Sequence, residues 1–300
     1  MSAPRYVIFT AAYNEERFIG RTIRSVIAQT VLPTKWVIVS DGSTDGTDDI
    51  VRDYCATHNF IKLLRQDTAE RRGILRKAKA LALAYEELET VQYEFLGNLD
   101  ADVSFDTRYC ETLLERFQCD PALGISGGLI QEEQAGEFRD RKSNNVRSVA
   151  HAAQMVRREC YEGIGGYIPL KYGGEDWFAE VSARMQGWTV KAFADLKIMH
   201  HRRTGTADSA MRHAFRQGLM DYSVGSLPAF ELLKCARRIP EWPVAIGAAA
   251  RLTGFWWSYF SKQPRLVSPE FISFLRNEQR ERLRLFFNGI PGLTRDLDNC

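Results

Sequence analysis

Three hundred residues, 45% of them hydrophobic and 26% charged, are enough for a sizeable core and exclude a disordered or low-complexity chain. The formal net charge of +2 hides an uneven split, because residues 201–300 carry 15 Lys+Arg against 9 Asp+Glu while residues 1–200 carry 25 against 29. That balance gives no reason to expect a nucleic-acid partner, and the basic last third fits either an anionic partner (phosphate groups or an acidic membrane surface) or a solvated helical face.

In chain order, Met1-Ser2-Ala3-Pro4-Arg5 leads straight into an apolar strand, Tyr6–Ala11, with no signal-peptide core. Arg17–Ala28 follows with Phe18, Ile19, Ile23, Val26 and Ile27 at helical spacing. Trp36–Val39 reads as a second strand, ended by Asp41-Gly42, and Thr47 is expected to cap a helix with Ile50, Val51, Tyr54 and Cys55 inside. Ile61–Leu64 is a third strand, Arg76–Glu89 a helix and Phe95–Leu99 a fourth strand. Apolar strands separated by helices of this length indicate right-handed βαβ units. The fold class is therefore α/β, a doubly wound, mostly parallel sheet flanked by helices.

Beyond residue 105 the pattern loosens. Arg108–Gln118 is helical, Ile125–Ile130 a strand, Gln131–Ser148 a polar loop, Trp177–Gln186 a helix, and Val190–Ala194 and Ile198-Met199 two short strands. From about Thr206 to Asn288 the signals are almost wholly helical, so the domains are expected at 1–204 and, as a C-terminal helical extension, 205–300. Six cysteines without a C-x-x-C pair fit reduced thiols, so a cytoplasmic location is expected, with peripheral attachment to the cytoplasmic face of a membrane as its variant.

The chemistry-bearing residues fall at expected strand ends. Ligands of open α/β sheets bind at the carboxyl edge, where Tyr13-Asn14-Glu15, Asp41 to Thr47 and Asp100 to Asp102 all sit. Asp100-Ala101-Asp102 places two carboxylates where they converge on one hard divalent cation such as Mg²⁺ or Mn²⁺. The first loop offers an aromatic ring and polar groups instead of a G-x-G-x-x-G, which suits a nucleobase better than a pyrophosphate. Tyr13 also reads as a packed loop aromatic, Glu15 as a helix-start acid and Asp41 as a turn former.

Together, Ala12-Tyr13-Asn14-Glu15, Ser25-Val26-Ile27-Ala28-Gln29-Thr30, Val37 to Asp45, Asp100-Ala101-Asp102 and Gly174-Glu175-Asp176 resemble a family 2 glycosyltransferase of GT-A fold over roughly residues 5–204. The resemblance implies a nucleotide-sugar donor, a divalent metal and inversion at the anomeric carbon. It implies that Tyr13 and Asp41 hold the base, that Glu15 lies beside the ribose, that Asp100 sits near ribose and metal, and that Asp102 ligates the metal. It makes Asp176 the catalytic base, which would take the acceptor hydroxyl's proton. A histidine of the pair His200-His201 is implied to complete the metal or diphosphate site, and Arg202 and Arg203 to neutralise the diphosphate. Arg76-Lys77-Ala78-Lys79 stands where the family commonly has Ala-Arg-Asn, leaving Lys77 as the phosphate-binding candidate. No Q-x-x-R-W follows Asp176, which points to transfer of a single sugar to a polysaccharide or lipid-linked acceptor in cell-envelope glycan synthesis. The competitors are a nucleotidyltransferase and a catalytically inactive nucleotide-sugar-binding scaffold.

In the tail, Val244–Phe260 places Gly247, Arg251, Gly254 and Ser258 on one stripe with apolar residues around the rest, and Lys262 and Arg265 follow. Burial against the core and contact of 244–265 with a membrane interface both fit this pattern. Phe271–Phe287 reads as an amphipathic helix that could pair in a homodimer.

Overall fold

The computed structural model describes residues 4–66, 74–134, 136–141, 143–202, 210–240 and 245–288; the side chain of Lys77, together with Arg203 and Val244, lies outside the described residues. The chain divides into two compact units, Met1–Pro169 with Phe178–Arg202, and Leu170–Trp177 with Arg203–Cys300.

The first unit is built on one sheet of nine described strands: β1 (Tyr6–Ala12), β2 (Lys35–Asp41), β3 (Ile61–Gln66), β4 (Phe95–Leu99), β5 (Val103–Phe105), β6 (Leu123–Gln134), β7 (Glu137–Asp140), β8 (Ala153–Arg157) and β9 (Thr189–His200). The order is β3-β2-β1-β4-β8-β6-β9-β5, with β7 hairpinned onto β6. The pairs among β1 to β4 are parallel, and β6 runs parallel to β9. Antiparallel β8 joins the two halves, and β5 lies antiparallel to β9 at the edge.

Strand alternation distributes the core over both faces. Tyr6 and Ile8 of β1, with Trp36 and Ile38 of β2, pack on one face against Ile19, Ile23 and Val26 of α1 (Ile19–Ile27), Val51 of α2 (Thr47–Cys55) and Leu113 and Phe117 of α4 (Tyr109–Cys119). Val7, Phe9, Val37 and Val39 point the other way, onto Ala80, Ala84 and Leu88 of α3 (Ile74–Leu88) and Cys160 of α5 (Arg158–Gly163). Small residues on α3 let that helix sit close to the sheet.

Four local expectations are corrected. The stretch Gln131–Ser148 is not simply a loop, because β6 continues to Gln134 and turns into β7, pairing Gln131 with Asp140 and Glu133 with Phe138. The paired stretches, 131–134 and 137–140, are mostly polar, so no alternation of apolar residues marks them. Strand β5 is only three residues long, β8 carries Gln154 and Arg157 among its five, and β9 is one strand where two were expected. At the start of α2 the carboxylate is Asp45, whose Oδ1 accepts from the Thr47 N–H at 3.1 Å and from its hydroxyl at 2.5 Å.

The second unit is helical: the segment 170–177, which includes the start of α6 (Glu175–Met185), then α7 (Ala210–Ser223), α8 (Pro228–Arg237), α9 (Ile246–Phe260) and α10 (Pro269–Phe287). Helices α7 and α9 cross so closely that a Cβ on Gly218 would lie 2.0 Å from the Arg251 carbonyl oxygen, and one on Gly254 2.2 Å from that of Phe215. Beside this crossing lies a buried ion-pair network of Asp221, Glu231, Lys234 and Arg251, two acids and two bases. Helix α10 starts with Ser268 accepting the Phe271 N–H and buries Phe271, Leu275 and Gln279, with Trp177 edge-on to Phe271.

Candidate active site

Three loops after strands β1, β2 and β4 form the site rim in the first unit, and side-chain to backbone bonds lock the first two together. In the loop after β1, the N–H of Asn14 donates to Ser43 Oγ (3.1 Å) and that of Glu15 to Thr47 Oγ1 (2.7 Å). In return Asn14 Oδ1 accepts the Thr44 N–H (2.9 Å) and Glu16 Oε2 the Gly46 N–H (2.9 Å). This explains the Asp-Gly-Ser-Thr-Asp-Gly turn chemically: its hydroxyls and amides fix the Tyr13-Asn14-Glu15 loop. Asp41 closes β2, buried, and its Oδ1 accepts from Gln66 Nε2 of β3 at 2.9 Å. Tyr13 is half-buried in the first loop.

The acidic pair follows β4. The Asp100 N–H donates to the Ala152 carbonyl (2.8 Å), and Asp102 is buried immediately before β5. Register then brings in the histidine, because β5 runs antiparallel to β9 with Val103 opposite His200. His200 Nε2 consequently lies 3.5 Å from Asp102 Oδ1, and the His201 N–H donates to the Asp102 carbonyl at 2.9 Å. Asp100, Asp102 and His200 each offer a ligand atom within 4.8 Å of one another. His201 points elsewhere: its Nε2 hydrogen-bonds Ser104 Oγ at 2.9 Å, and its ring meets Phe138 edge-on. Burial, with Arg21 nearby, holds His201 below the usual histidine range.

Arg202 spans the cluster. It forms an ion pair with Glu15, lies with Nε 3.5 Å from Asp102 Oδ2, and covers the Phe18 ring at 5.3 Å. Burial pushes Glu15 up to about 7, opposed by Arg202 and reinforced by Asp102, Asp100 and Asp45. Asp102 is likewise raised by burial, with His200 and Arg202 pulling it down and Asp100 pushing it up. Carboxylates crowded out of water in this way hold their charge at a cost that a cation relieves. Two carboxylates and an imidazole suit a divalent ion such as Mn²⁺. His200 Nδ1 is buried with no hydrogen bond among the described residues, so the ring's second nitrogen is uncommitted.

The first unit thus gathers Glu15, Asp100, Asp102, His200 and Arg202. Asp176 belongs to the second unit, in the first turn of α6 behind Gly173 and Gly174, both at φ +91°. That left-handed backbone suits glycine, and Gly174 packs on Met220 of α7. Sequence reasoning assigned Thr47 only a helix-capping role and Phe18 only an apolar helical position, and it left Ser43 without a role. Ser43 and Thr47 were visible in the quoted turn, whereas nothing local marks Phe18 as the platform for Arg202.

A family model described as glycosyl transferase family 2 matches residues 7–172. The chain belongs to that family. Family membership sets the nucleotidyltransferase alternative aside, while Asp176 stands four residues past the matched span. Among curated relatives, the putative glycosyltransferase EpsH of Bacillus subtilis is 26% identical over 177 residues, covering 59% of this chain and 46% of that protein. The poly-beta-1,6-N-acetyl-D-glucosamine synthase of Staphylococcus epidermidis is 33% identical over 118 residues, 39% of this chain and 26% of that one. The matches therefore span less than half of these relatives. Among solved structures, the mannosyltransferase PcManGT of Pyrobaculum calidifontis, in complex with GDP-Man and Mn²⁺, superposes with TM-score 0.59 at 18% identity over 99% of this chain and 85% of that one. S. aureus TarS 1-349 with UDP-GlcNAc gives TM-score 0.55 at 15% identity over 98% and 89%. These likenesses establish the GT-A fold.

Proposed function

We propose that the protein is a metal-dependent inverting glycosyltransferase that moves one sugar from a nucleoside diphosphate to a glycan or lipid-linked acceptor of the cell envelope. The observation that carries the reading is the convergence of Asp100, Asp102 and His200 on the carboxyl edge of a family 2 sheet. The complexes of PcManGT with GDP-Man and Mn²⁺ and of TarS with UDP-GlcNAc support a nucleotide-sugar donor, and the names of the bacterial relatives support an envelope glycan as product.

In this reading Tyr13 and Asp41 hold the base, Asp41 with its carboxylate fixed by Gln66, and Glu15 lies beside the ribose. Asp100, Asp102 and His200 hold the cation, which when bound would offset the charge that gathers on the departing diphosphate. Arg202 changes partner when the donor arrives, leaving Glu15 for the diphosphate oxygens, for which its planar fork is suited. Lys77 is the phosphate-binding candidate on α3. Asp176 takes the acceptor hydroxyl's proton as that oxygen attacks the anomeric carbon on the face opposite the leaving group. The missing Q-x-x-R-W favours one transfer per encounter.

The test is a screen of UDP-, GDP- and dTDP-sugars for thermal stabilisation with and without Mn²⁺. One donor class is expected to raise Tm with Mn²⁺ present, as ligand linkage requires. Equal insensitivity to every donor would remove the reading.

A further inference from the structure

Helix α9 buries its small-residue stripe and leaves several large apolar side chains outside. The stripe of Arg251, Gly254 and Ser258 is buried together with Ala248 and Phe255, while Ile246, Trp257, Tyr259 and Phe260 face solvent. Small residues are inside because α7 needs close backbone approach, at Gly218 against Arg251 and at Gly254 against Phe215. Arg251, the single charged residue of α9, is consumed inside, bonded to Asp221 at 2.5 and 2.9 Å, Glu231 at 2.9 Å and Gln217 at 2.7 Å. The outward face therefore carries no charge at all. Ile246, Trp257 and Phe260 stand 57%, 63% and 76% exposed, and Trp256 stacks on Phe260 with ring centroids 5.8 Å apart. A shallow groove runs among Leu252, Thr253, Trp256, Trp257, Phe260 and Ser261.

A soluble surface helix normally turns charge outward, and a contiguous exposed apolar strip marks a binding surface. Charge identifies what it binds. The acids Asp221 and Glu231 cancel the bases Lys234 and Arg251 inside the unit, so burial takes nothing from the excess of 15 Lys+Arg over 9 Asp+Glu in residues 201–300. Exposed Lys262 follows the aromatic cluster directly. Two copies joined through this face would bring two basic segments together, whereas an acidic headgroup layer complements them. Trp, Tyr and Phe are the side chains that settle at a bilayer interface. The 15 residues of α9 fall short of the roughly 20 needed to cross a hydrocarbon core, and among the described residues no helix is long and apolar enough to cross. A helix of this kind lies in the plane.

We propose that the outward face of α9, from Ile246 to Phe260 with Lys262 at its end, docks on an anionic lipid surface. The inference rests on the second unit alone and goes beyond sugar transfer. The test is flotation of the full chain with phosphatidylcholine vesicles, with and without phosphatidylglycerol, in the absence of donor and acceptor. Failure would leave the transfer reading untouched. The full chain is expected to float with the anionic vesicles and to be released by salt. Trp257→Ser with Phe260→Ser changes two exposed side chains, so Tm should hold while partitioning falls about tenfold per aromatic removed. Lys262→Ala should lower it about fivefold on anionic vesicles only. The proposal is overturned if the full chain stays in the soluble fraction with phosphatidylglycerol present, or if the double variant floats as well as the parent. A dimer that the double variant dissolves, without flotation, overturns it in favour of a second copy.

Discussion

Neighbouring histidines at the end of β9 receive opposite assignments for a reason of geometry. His200 faces the aspartates because Val103 is its partner across the β5–β9 ladder, and the next residue in an extended chain faces away. His201 is held by Ser104, and burial with Arg21 nearby holds it below the usual histidine range. His200→Ala should therefore weaken Mn²⁺ binding by about 10–100-fold, and His201→Ala by no more than about threefold, read from Mn²⁺ titration followed by EPR. The reverse order would exclude His200 as a ligand. For the proposed base, Asp176→Asn should leave donor binding near the parent value and lower transfer by about 10²–10⁴-fold. The acidic residues themselves were legible in the sequence because their motifs are local. The choice of histidine was not, since it hangs on β5, a three-residue strand that no periodicity reveals. The latch of Ser43 and Thr47 onto the first loop was hidden because its partners lie about thirty residues apart.

At the scale of elements, helical period located α9 but could not say which side faced in. The stripe of glycine, serine and arginine goes inside because close helix packing selects small residues, and an arginine can be buried when two carboxylates meet it. Two variants check this packing by chemical denaturation. Gly254→Ala puts a methyl group into the Phe215 carbonyl and should cost about 2–3 kcal/mol. Lys234→Met leaves Asp221 and Glu231 with one cation between them and should cost about 3–5 kcal/mol. Stability unchanged by both would contradict the buried network. The parallel half of the sheet, β1 to β4, was readable from alternating strand and helix signals, because strands buried on both faces are continuously apolar. The antiparallel half was harder, since β6 and β7 pair through polar residues and β8, Ala153–Arg157, is a short run broken by Gln154 and ended by Arg157.

For the molecule as a whole, the two units divide the work. The sheet unit carries the family's motifs and the cluster of Asp100, Asp102 and His200, while the helical unit carries Asp176, the buried ion-pair network and the exposed apolar strip of α9. The central claim is that Asp102 anchors a cation which couples the protein to a nucleoside diphosphate. The most direct measurement is Tm with UDP and GDP, each with Mn²⁺ and with EDTA, on the parent chain and on Asp102→Asn. At a hundred times the dissociation constant a ligand stabilises by about 2.7 kcal/mol, a shift of a few degrees for a domain of this size. The account predicts that shift for at least one nucleotide, only with Mn²⁺ and only in the parent. An equal shift in EDTA, or in Asp102→Asn with Mn²⁺, would contradict it.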